Sequence, residues 1–251
     1  MQTYQQRIGS NTMKLQADAL ELTRSGKKVL DGVSFSLKAG EIYALLGGNG
    51  EGKSTTLLSF LGFISPDSGS VRVNDKDVYS DIGVARKAIA YLPESASLYE
   101  HLNAYENIDY FLQLAGLPKT SASIDEALDR VTLKPEARQL KLADYSKGMR
   151  QKVTIALAML RDTDILLLDE PTSGLDPNAI DEFHQLVRSL ADTGKAILMV
   201  THDVYGACNV ADKIGLLYNG RLMQEFNAQS GKIDTETVHK AFSATVATQN
   251  S

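Results

Sequence analysis

The feature that most constrains this chain is a glycine-rich loop between a short apolar run and a helix-like segment. Residues 47–55 read GGNGEGKST, which is a complete phosphate-binding pattern of the form GxxxxGK[ST]. Glycines let successive backbone N–H groups point inward at phosphate oxygens, and the helix that follows adds its positive end. The loop therefore predicts a strand–loop–helix unit that binds a nucleotide.

Each position of this phosphate loop (residues 47–55) has an expected role. Lys53 supplies positive charge for the β- and γ-phosphates, and Ser54 supplies a hydroxyl for Mg²⁺. The other members form the cradle around the phosphates: Gly47, Gly48, Asn49, Gly50, Glu51, Gly52 and Thr55.

Composition narrows the range of partners. The chain has 251 residues and a formal net charge of −5, which argues against nucleic acid as a partner because phosphate backbones need a basic face. Cys208 is the only cysteine, so no disulfide forms within the chain, as suits a reducing compartment. Residues 1–12 are polar and lack a signal-peptide core, and no run approaches the roughly 18 apolar residues of a membrane span. We expect a soluble or peripheral protein.

The order of segments predicts the fold class. Strands that alternate with helices favour an α/β fold with a largely parallel sheet. We expect a P-loop NTPase core with an N-terminal antiparallel β subdomain and an inserted helical subdomain. The expected single domain covers residues 13–242, with tails at 1–12 and 243–251. Its core occupies 13–93 and 145–242, and the helical subdomain occupies about 94–144.

Periodicity and turn residues place the individual elements. Strands are expected at 15–22, 33–37, 41–46, 70–73, 89–92, 165–168 and 196–200, with a hairpin at 213–217 and 221–226. Core helices are expected after the phosphate loop and at 153–160, 177–191 and 236–242. In the inserted part, Asn103 and Glu106 have capping-box spacing before a helical pattern, and Ser123 and Glu126 repeat that spacing.

A second chemical signal follows the strand expected at 165–168. Asp169 and Glu170 place two carboxylates at its end. A phosphate-loop ATPase needs one acid there for its Mg²⁺ site, which suits Asp169. The next acid points toward the attacking water, so Glu170 is the candidate general base.

Four segments together resemble the ATP-binding-cassette (ABC) superfamily. Residues 169–177, DEPTSGLDP, resemble its catalytic block, and residues 145–151, YSKGMRQ, resemble its signature motif in the variant common among exporter-type subunits. THD at 201–203 resembles the switch histidine, and YLPE at 91–94 sits where the family has its coupling loop. With the phosphate loop, these blocks match the family in order and spacing from about residue 15 to 242.

The resemblance implies roles for further residues. ABC cassettes work as head-to-tail pairs, so a second cassette, most simply an identical one, is an expected partner, and ATP is the expected nucleotide. Ser146 and the backbone N–H of Gly148 would meet the γ-phosphate held by the partner, and Asp176 would lie at the seam. His202 would contact the γ-phosphate or orient Glu170 and the water. The remaining histidines are expected to be surface polar residues: His101, His184 and His239.

Three positions depart from the family pattern. Glu94 stands where many relatives have Gln; it can ligate Mg²⁺, but its charge near the γ-phosphate predicts slower turnover or stronger Mg²⁺ dependence. Lys147 either adds charge near the γ-phosphate or is simply exposed. Arg24 lies where an adenine-stacking aromatic is usual, so either its guanidinium stacks on the base or adenine is held loosely.

These features favour an ATP-hydrolysing subunit of an ABC transporter, on the cytoplasmic face of the membrane, that powers export through a separate transmembrane permease. The permease would contact a groove with walls at 94–102 and 103–115. One alternative is a soluble ABC ATPase that serves an assembly process such as iron–sulfur cluster assembly. Another is a nucleotide-dependent regulatory module without useful turnover.

Overall fold

A computed structural model describes residues 12–95, 98–228 and 232–249. The tail expected at 1–12 therefore lies, except for Thr12, outside the described residues, as do 250 and 251. In chain order the strands are β1 Met13–Arg24, β2 Lys27–Lys38, β3 Ile42–Leu46, β4 Ser68–Val73, β5 Lys76–Asp77, β6 Ile89–Leu92, β7 Ile165–Asp169, β8 Ala196–Thr201, β9 Lys213–Tyr218 and β10 Arg221–Asn227.

The α-helices are α1 Lys53–Phe60, α2 Ile82–Lys87, α3 Ala104–Leu114, α4 Ser121–Arg130, α5 Lys147–Leu160, α6 Pro177–Asp192, α7 Val204–Val210 and α8 Thr235–Gln249. Two short 3-10 turns, Pro135–Ala137 and Leu142–Asp144, connect α4 to α5. The helix expected at 236–242 thus continues to Gln249, so residues 243–249 are helical rather than an irregular tail.

The strands form two sheets. The first has the order β2-β1-β4-β5 and its pairs are antiparallel, which confirms the predicted N-terminal antiparallel subdomain. The second has the order β10-β9-β3-β8-β7-β6. All its pairs are parallel except β9 with β10, the expected C-terminal hairpin. The α/β class with a largely parallel core sheet is therefore confirmed.

The central strand β3 shows why the core has two layers. Ile42, Ala44 and Leu46 pack into a cluster shared with the helical part, whereas Tyr43 and Leu45 pack into a cluster shared with the N-terminal subdomain. Successive strand residues point to opposite faces, and both faces of β3 are covered, so all five of its residues are buried. Because β3, β8 and β7 are parallel neighbours, their carboxyl ends meet at one edge of the sheet, beside the phosphate loop.

The inserted helices begin at caps, one of which was placed wrongly from sequence. Asn103 and Glu106 form the predicted capping box of α3, with Asn103 N–H to Glu106 Oε2 at 2.8 Å and Glu106 N–H to Asn103 Oδ1 at 3.0 Å. The cap of α4 is Thr120, whose Oγ1 accepts from the N–H of Ser123 at 3.2 Å. Ser123 lies inside the first turn, so the Ser123–Glu126 spacing does not mark the start of the helix. None of the helices in the described ranges is long and apolar enough to cross a bilayer.

Candidate functional site

The phosphate loop joins β3 to α1 and depends on left-handed backbone at two glycines. Gly50 and Gly52 have φ of 82° and 101°, a region that side chains rarely adopt. A Cβ on Gly52 would also lie 2.7 Å from the carbonyl oxygen of Val29, so only glycine fits there. Among the described residues, no side chain caps the first turn of α1. Helix N-termini whose first-turn N–H groups are not engaged by a side chain are suited to anion binding.

Lys53 is the charged centre of this loop, and its side chain is only 6% exposed. Its ammonium donates to the carbonyl oxygens of Gly47 and Gly48, both at 2.9 Å, and lies 3.3 Å from Oε1 of Glu170. The lysine side chain is thus folded back over the loop.

Glu51 was expected to belong to the cradle, but its side chain points elsewhere. It is 5% exposed, and its Oε2 accepts a hydrogen bond from the backbone N–H of Asn219 in the β9–β10 turn. Its carboxylate therefore braces the loop against the hairpin, and only its backbone is placed to meet a phosphate. Asn49 and Gly50 are exposed at the tip of the loop, and Thr55 is half-buried on α1.

Asp169 lies at the end of β7, with each carboxylate oxygen next to a hydroxyl. Ser54 Oγ donates to Oδ1 at 3.1 Å, and the hydroxyl of Tyr91 donates to Oδ2 at 3.2 Å. Burial raises the pKa of Asp169 above its ordinary value, and the two hydroxyl donors oppose that shift. Burial, together with the neighbouring Asp169, raises the pKa of Tyr91 to about 12. The sequence did not reveal this role of Tyr91, which was placed in a strand and at the start of the coupling-loop segment 91–94 but not beside Asp169.

Glu170 has an unusual backbone and two side-chain partners. Its φ is 44°, which strains any residue other than glycine, and its N–H donates to the carbonyl of Val200 at 2.9 Å. One carboxylate oxygen pairs with Lys53, and the other lies 2.8 Å from Nδ1 of His202. The His202 side chain is 56% exposed, so its ring contacts Glu170 while much of it faces solvent. These contacts bring Glu170 together with Lys53 and His202, three of the residues predicted for the site.

The signature segment (145–151) is built around the start of α5. Ser146 caps this helix and accepts from the N–H of Met149 at 3.2 Å, as a serine at a helix start should. Asp176 caps α6 in the same way, accepting from the N–H of Ala179 at 3.0 Å. Within the described parts of the chain, no hydrogen bond or ion pair links Ser146, Gly148 or Asp176 to the phosphate loop.

The three departures from the expected pattern have definite positions. Glu94 Oε1 accepts from the hydroxyl of Ser173 at 3.3 Å, and its charge helps to raise the pKa of Asp169. Lys147 is exposed, and a Cβ on Gly174 would lie 3.2 Å from its ammonium nitrogen. Arg24 is exposed at the end of β1, next to the turn of the β1–β2 hairpin.

His184 corrects the expectation that it is a surface residue. It lies on α6 and is 9% exposed, and its Nε2 is buried without a hydrogen-bond partner among the described residues. A Cβ on Gly206 would lie 3.2 Å from that nitrogen, so the ring packs against the start of α7. Burial lowers the pKa of His184, with Asp203 and Asp181 opposing that shift. His184 is buried because its position on α6 faces α7. The sequence does not indicate this packing, since a single histidine can lie either on the surface or in a helix contact.

Comparison with known proteins identifies this arrangement. The family model described as "ABC transporter" matches residues 30–173, more than half of the chain. The linearmycin resistance ATP-binding protein LnrL of Bacillus subtilis (strain 168) is 32% identical over 211 residues, covering 83% of this chain and 68% of the relative. The daunorubicin/doxorubicin resistance ATP-binding protein DrrA of Streptomyces peucetius is 34% identical over 216 residues, covering 85% and 65%. The chain thus spans about two thirds of the length of these relatives.

Solved structures give the same result. An ATP-binding subunit of an ABC transporter superposes with a TM-score of 0.78 at 28% identity, covering 92% of this chain and 99% of that one. The dimeric, post-hydrolysis state of the ATP-binding cassette MJ0796, bound to ADP and Pi, superposes with a TM-score of 0.76 at 25% identity, covering 86% and 99%. With the phosphate loop and its acids in place, the chain therefore belongs to the ABC transporter family, as one of its ATP-binding, ATP-hydrolysing cassettes.

Proposed function

We propose that this chain powers export through a separate transmembrane permease, using Mg²⁺ with ATP and lying against the cytoplasmic face of the membrane. The observation that carries the ATPase half is the contact chain from Lys53 through Glu170 to His202. The export half is supported by two relatives that are named for drug resistance. Those names do not favour the alternative of a soluble assembly factor.

The residues present fit a magnesium ion. Ser54 Oγ and Asp169 Oδ1 lie 3.1 Å apart and are both oxygen donors, the type that Mg²⁺ prefers beside phosphates and water. When bound, Mg²⁺ neutralises charge on the β- and γ-phosphate oxygens. Glu94 is a candidate third oxygen group, since its charge is felt at Asp169. In the described ranges, no cluster of three His, Cys, Asp or Glu side chains could hold a metal.

The chain's own residues would perform the hydrolysis step. Lys53 now shares its ammonium between two loop carbonyls and Glu170, and the greater negative charge of the phosphates would draw it toward them. That movement leaves the Glu170 carboxylate available to take a proton from the attacking water. His202, 2.8 Å away through Nδ1, would hold the carboxylate in that orientation.

The signature segment supplies the other half of the ATP site in the proposed assembly of two cassettes, most simply two identical chains. Ser146 and the Gly148 N–H, at the positive end of α5, would meet the γ-phosphate bound to the partner, and Asp176 would lie at the seam between the chains. Arg24 would stack on adenine through its guanidinium plane. No part of this proposal assigns nucleic acid as a partner.

The permease would dock beside α3. Three large side chains there are exposed, Tyr99 by 40%, Tyr110 by 42% and Leu114 by 73%. Residues 96 and 97 of the expected groove lie outside the described residues. Exposed aromatic and aliphatic groups in one place are typical of protein contact surfaces.

Two experiments test the proposal. The full chain is used to capture partners from detergent-solubilised membranes and from cytosol; a stoichiometric multi-span protein from membranes is expected, and soluble partners alone would contradict it. ATP hydrolysis is then compared with that of Glu170→Gln. Turnover should fall by roughly 10²- to 10⁴-fold, the usual contribution of a general base. Equal rates would instead favour a regulatory module.

A further inference from the structure

The hydroxyl of Tyr91 is the feature from which a further inference follows. Tyr91 lies on β6 opposite Leu167 of β7, two residues before Asp169 on the same face of the sheet. Its ring packs on the apolar cluster under α1, and only the hydroxyl reaches the site, 3.2 Å from Oδ2 of Asp169. The ring therefore serves packing, and the hydroxyl is left to act on the carboxylate.

The two oxygens of Asp169 face different donors. Oδ1 is on the side of Ser54, the expected metal side, whereas Oδ2 is held by Tyr91. Rotation of a carboxylate about its last torsion has a broad energy profile, so its orientation depends on such partners. With Oδ2 engaged, Asp169 offers one oxygen to a metal beside Ser54 rather than two.

We propose that Tyr91 is a positioning residue that makes Asp169 a one-oxygen ligand and so selects Mg²⁺ over Ca²⁺. The inference rests on the magnesium site of the proposed function. Mg²⁺ requires a small octahedral shell and usually binds each carboxylate through one oxygen. Ca²⁺ accepts six to eight ligands and readily takes a carboxylate through both oxygens. A carboxylate free to turn would therefore serve Ca²⁺ as well as Mg²⁺.

The test is Tyr91→Phe, which keeps the ring and removes only the hydroxyl. Binding of labelled ATP to the full chain is measured by equilibrium dialysis in Mg²⁺, in Ca²⁺ and in EDTA, with Glu170→Gln present throughout to prevent hydrolysis. For each metal, the ratio of the ATP affinity with the metal to the ATP affinity in EDTA, called the metal gain, measures how well the site accepts that metal. Tyr91→Phe should lower the gain from Mg²⁺ by roughly 10-fold, a usual size for losing a partner of a metal ligand. The gain from Ca²⁺ should change by less than about 3-fold.

The matched control is Tyr79→Phe. Tyr79 packs on the same cluster, and its hydroxyl donates to the backbone carbonyls of Ser59 and Ile64 rather than to Asp169. The control variant therefore loses a comparable hydroxyl away from the carboxylate. It should leave both metal gains unchanged.

Three outcomes would overturn the inference. In the first, Tyr91→Phe keeps the Mg²⁺-to-Ca²⁺ ratio of its parent. In the second, its ATP affinity in EDTA falls as much as in Mg²⁺, which indicates a damaged fold; thermal unfolding of both tyrosine variants detects the same damage. The third, a parent chain that binds no ATP in any buffer, would overturn the proposed function as well.

Discussion

The two ends of the nucleotide machinery differ in how complete they are within one chain. At the phosphate loop, Glu170 contacts both Lys53 and His202, and Ser54 contacts Asp169. At the signature segment, by contrast, the expected ligand groups are engaged only in capping their own helices. Each cap accepts a hydrogen bond from one first-turn N–H, that of Met149 in α5 and that of Ala179 in α6. In the proposed assembly of two cassettes, each chain thus supplies the loop half of one ATP site and the signature half of the other.

The largest expected effect separates these two halves by complementation. Lys53→Ala removes the charge at the loop, and Gly148→Asp places a carboxylate where a phosphate should meet α5, so each variant alone should lose nearly all ATPase activity. Mixed together, two such chains in a head-to-tail pair contain one site that is intact on both sides. The mixture should therefore show ATPase activity in a steady-state assay, with each mixed pair reaching up to about half the activity of an unmodified pair.

This mixing experiment can contradict the proposal that the loop of one chain and the signature segment of another form one ATP site. If the mixture stays as inactive as either variant, the two halves do not meet between chains in the assumed way. Thermal unfolding of each variant checks that it is folded at the assay temperature, which is needed above all for Lys53→Ala because it leaves the largely buried Glu170 carboxylate without its ion-pair partner.

A smaller effect is expected at Glu94, which hydrogen-bonds to Ser173 between the two halves. Replacing Glu94 by Gln removes a charge that opposes ionisation of Asp169 while keeping an oxygen acceptor. Turnover should rise by about 2- to 5-fold, or the Mg²⁺ concentration for half-maximal rate should fall, as expected for an exposed charge worth under about 1 kcal/mol. Rates measured across a Mg²⁺ titration test this; identical curves would show that the charge is irrelevant.

The last effect is on stability rather than turnover and concerns His184, which lies where α6, the helix after Asp176, meets α7, the helix after His202. Burial lowers its pKa in the folded state, so its stabilising contribution is present above the unfolded pKa and is lost as pH falls through the folded pKa. The free energy of unfolding should therefore decline below about pH 6.5, by at most about 1.4 kcal/mol per pH unit.

Urea denaturation at several pH values measures this slope, and His184→Gln should flatten it. His239, which is exposed, provides the control substitution. An unchanged slope in His184→Gln would assign the pH dependence to other groups.

Much of this protein could be read from local sequence because its signals are local. A glycine-rich turn, a buried strand that ends in Asp169 and Glu170, and the capping box at Asn103 each depend on residues within a few positions. Backbone sterics and helix caps act over that range. The α/β class followed from the order of such strands and helices, and the family from the resemblance of five short motifs along the chain.

The tertiary structure decided what depends on residues far apart in the chain. It pairs Tyr91 with Asp169 and turns Glu51 from the phosphates toward Asn219. It also buries His184 against α7 and strains Glu170 into positive φ. These contacts arise where separate strands and helices meet, and the side-chain types alone do not encode which partner each will find. Sequence therefore determined which chemistry the chain carries, whereas packing determined how each group is oriented to perform it.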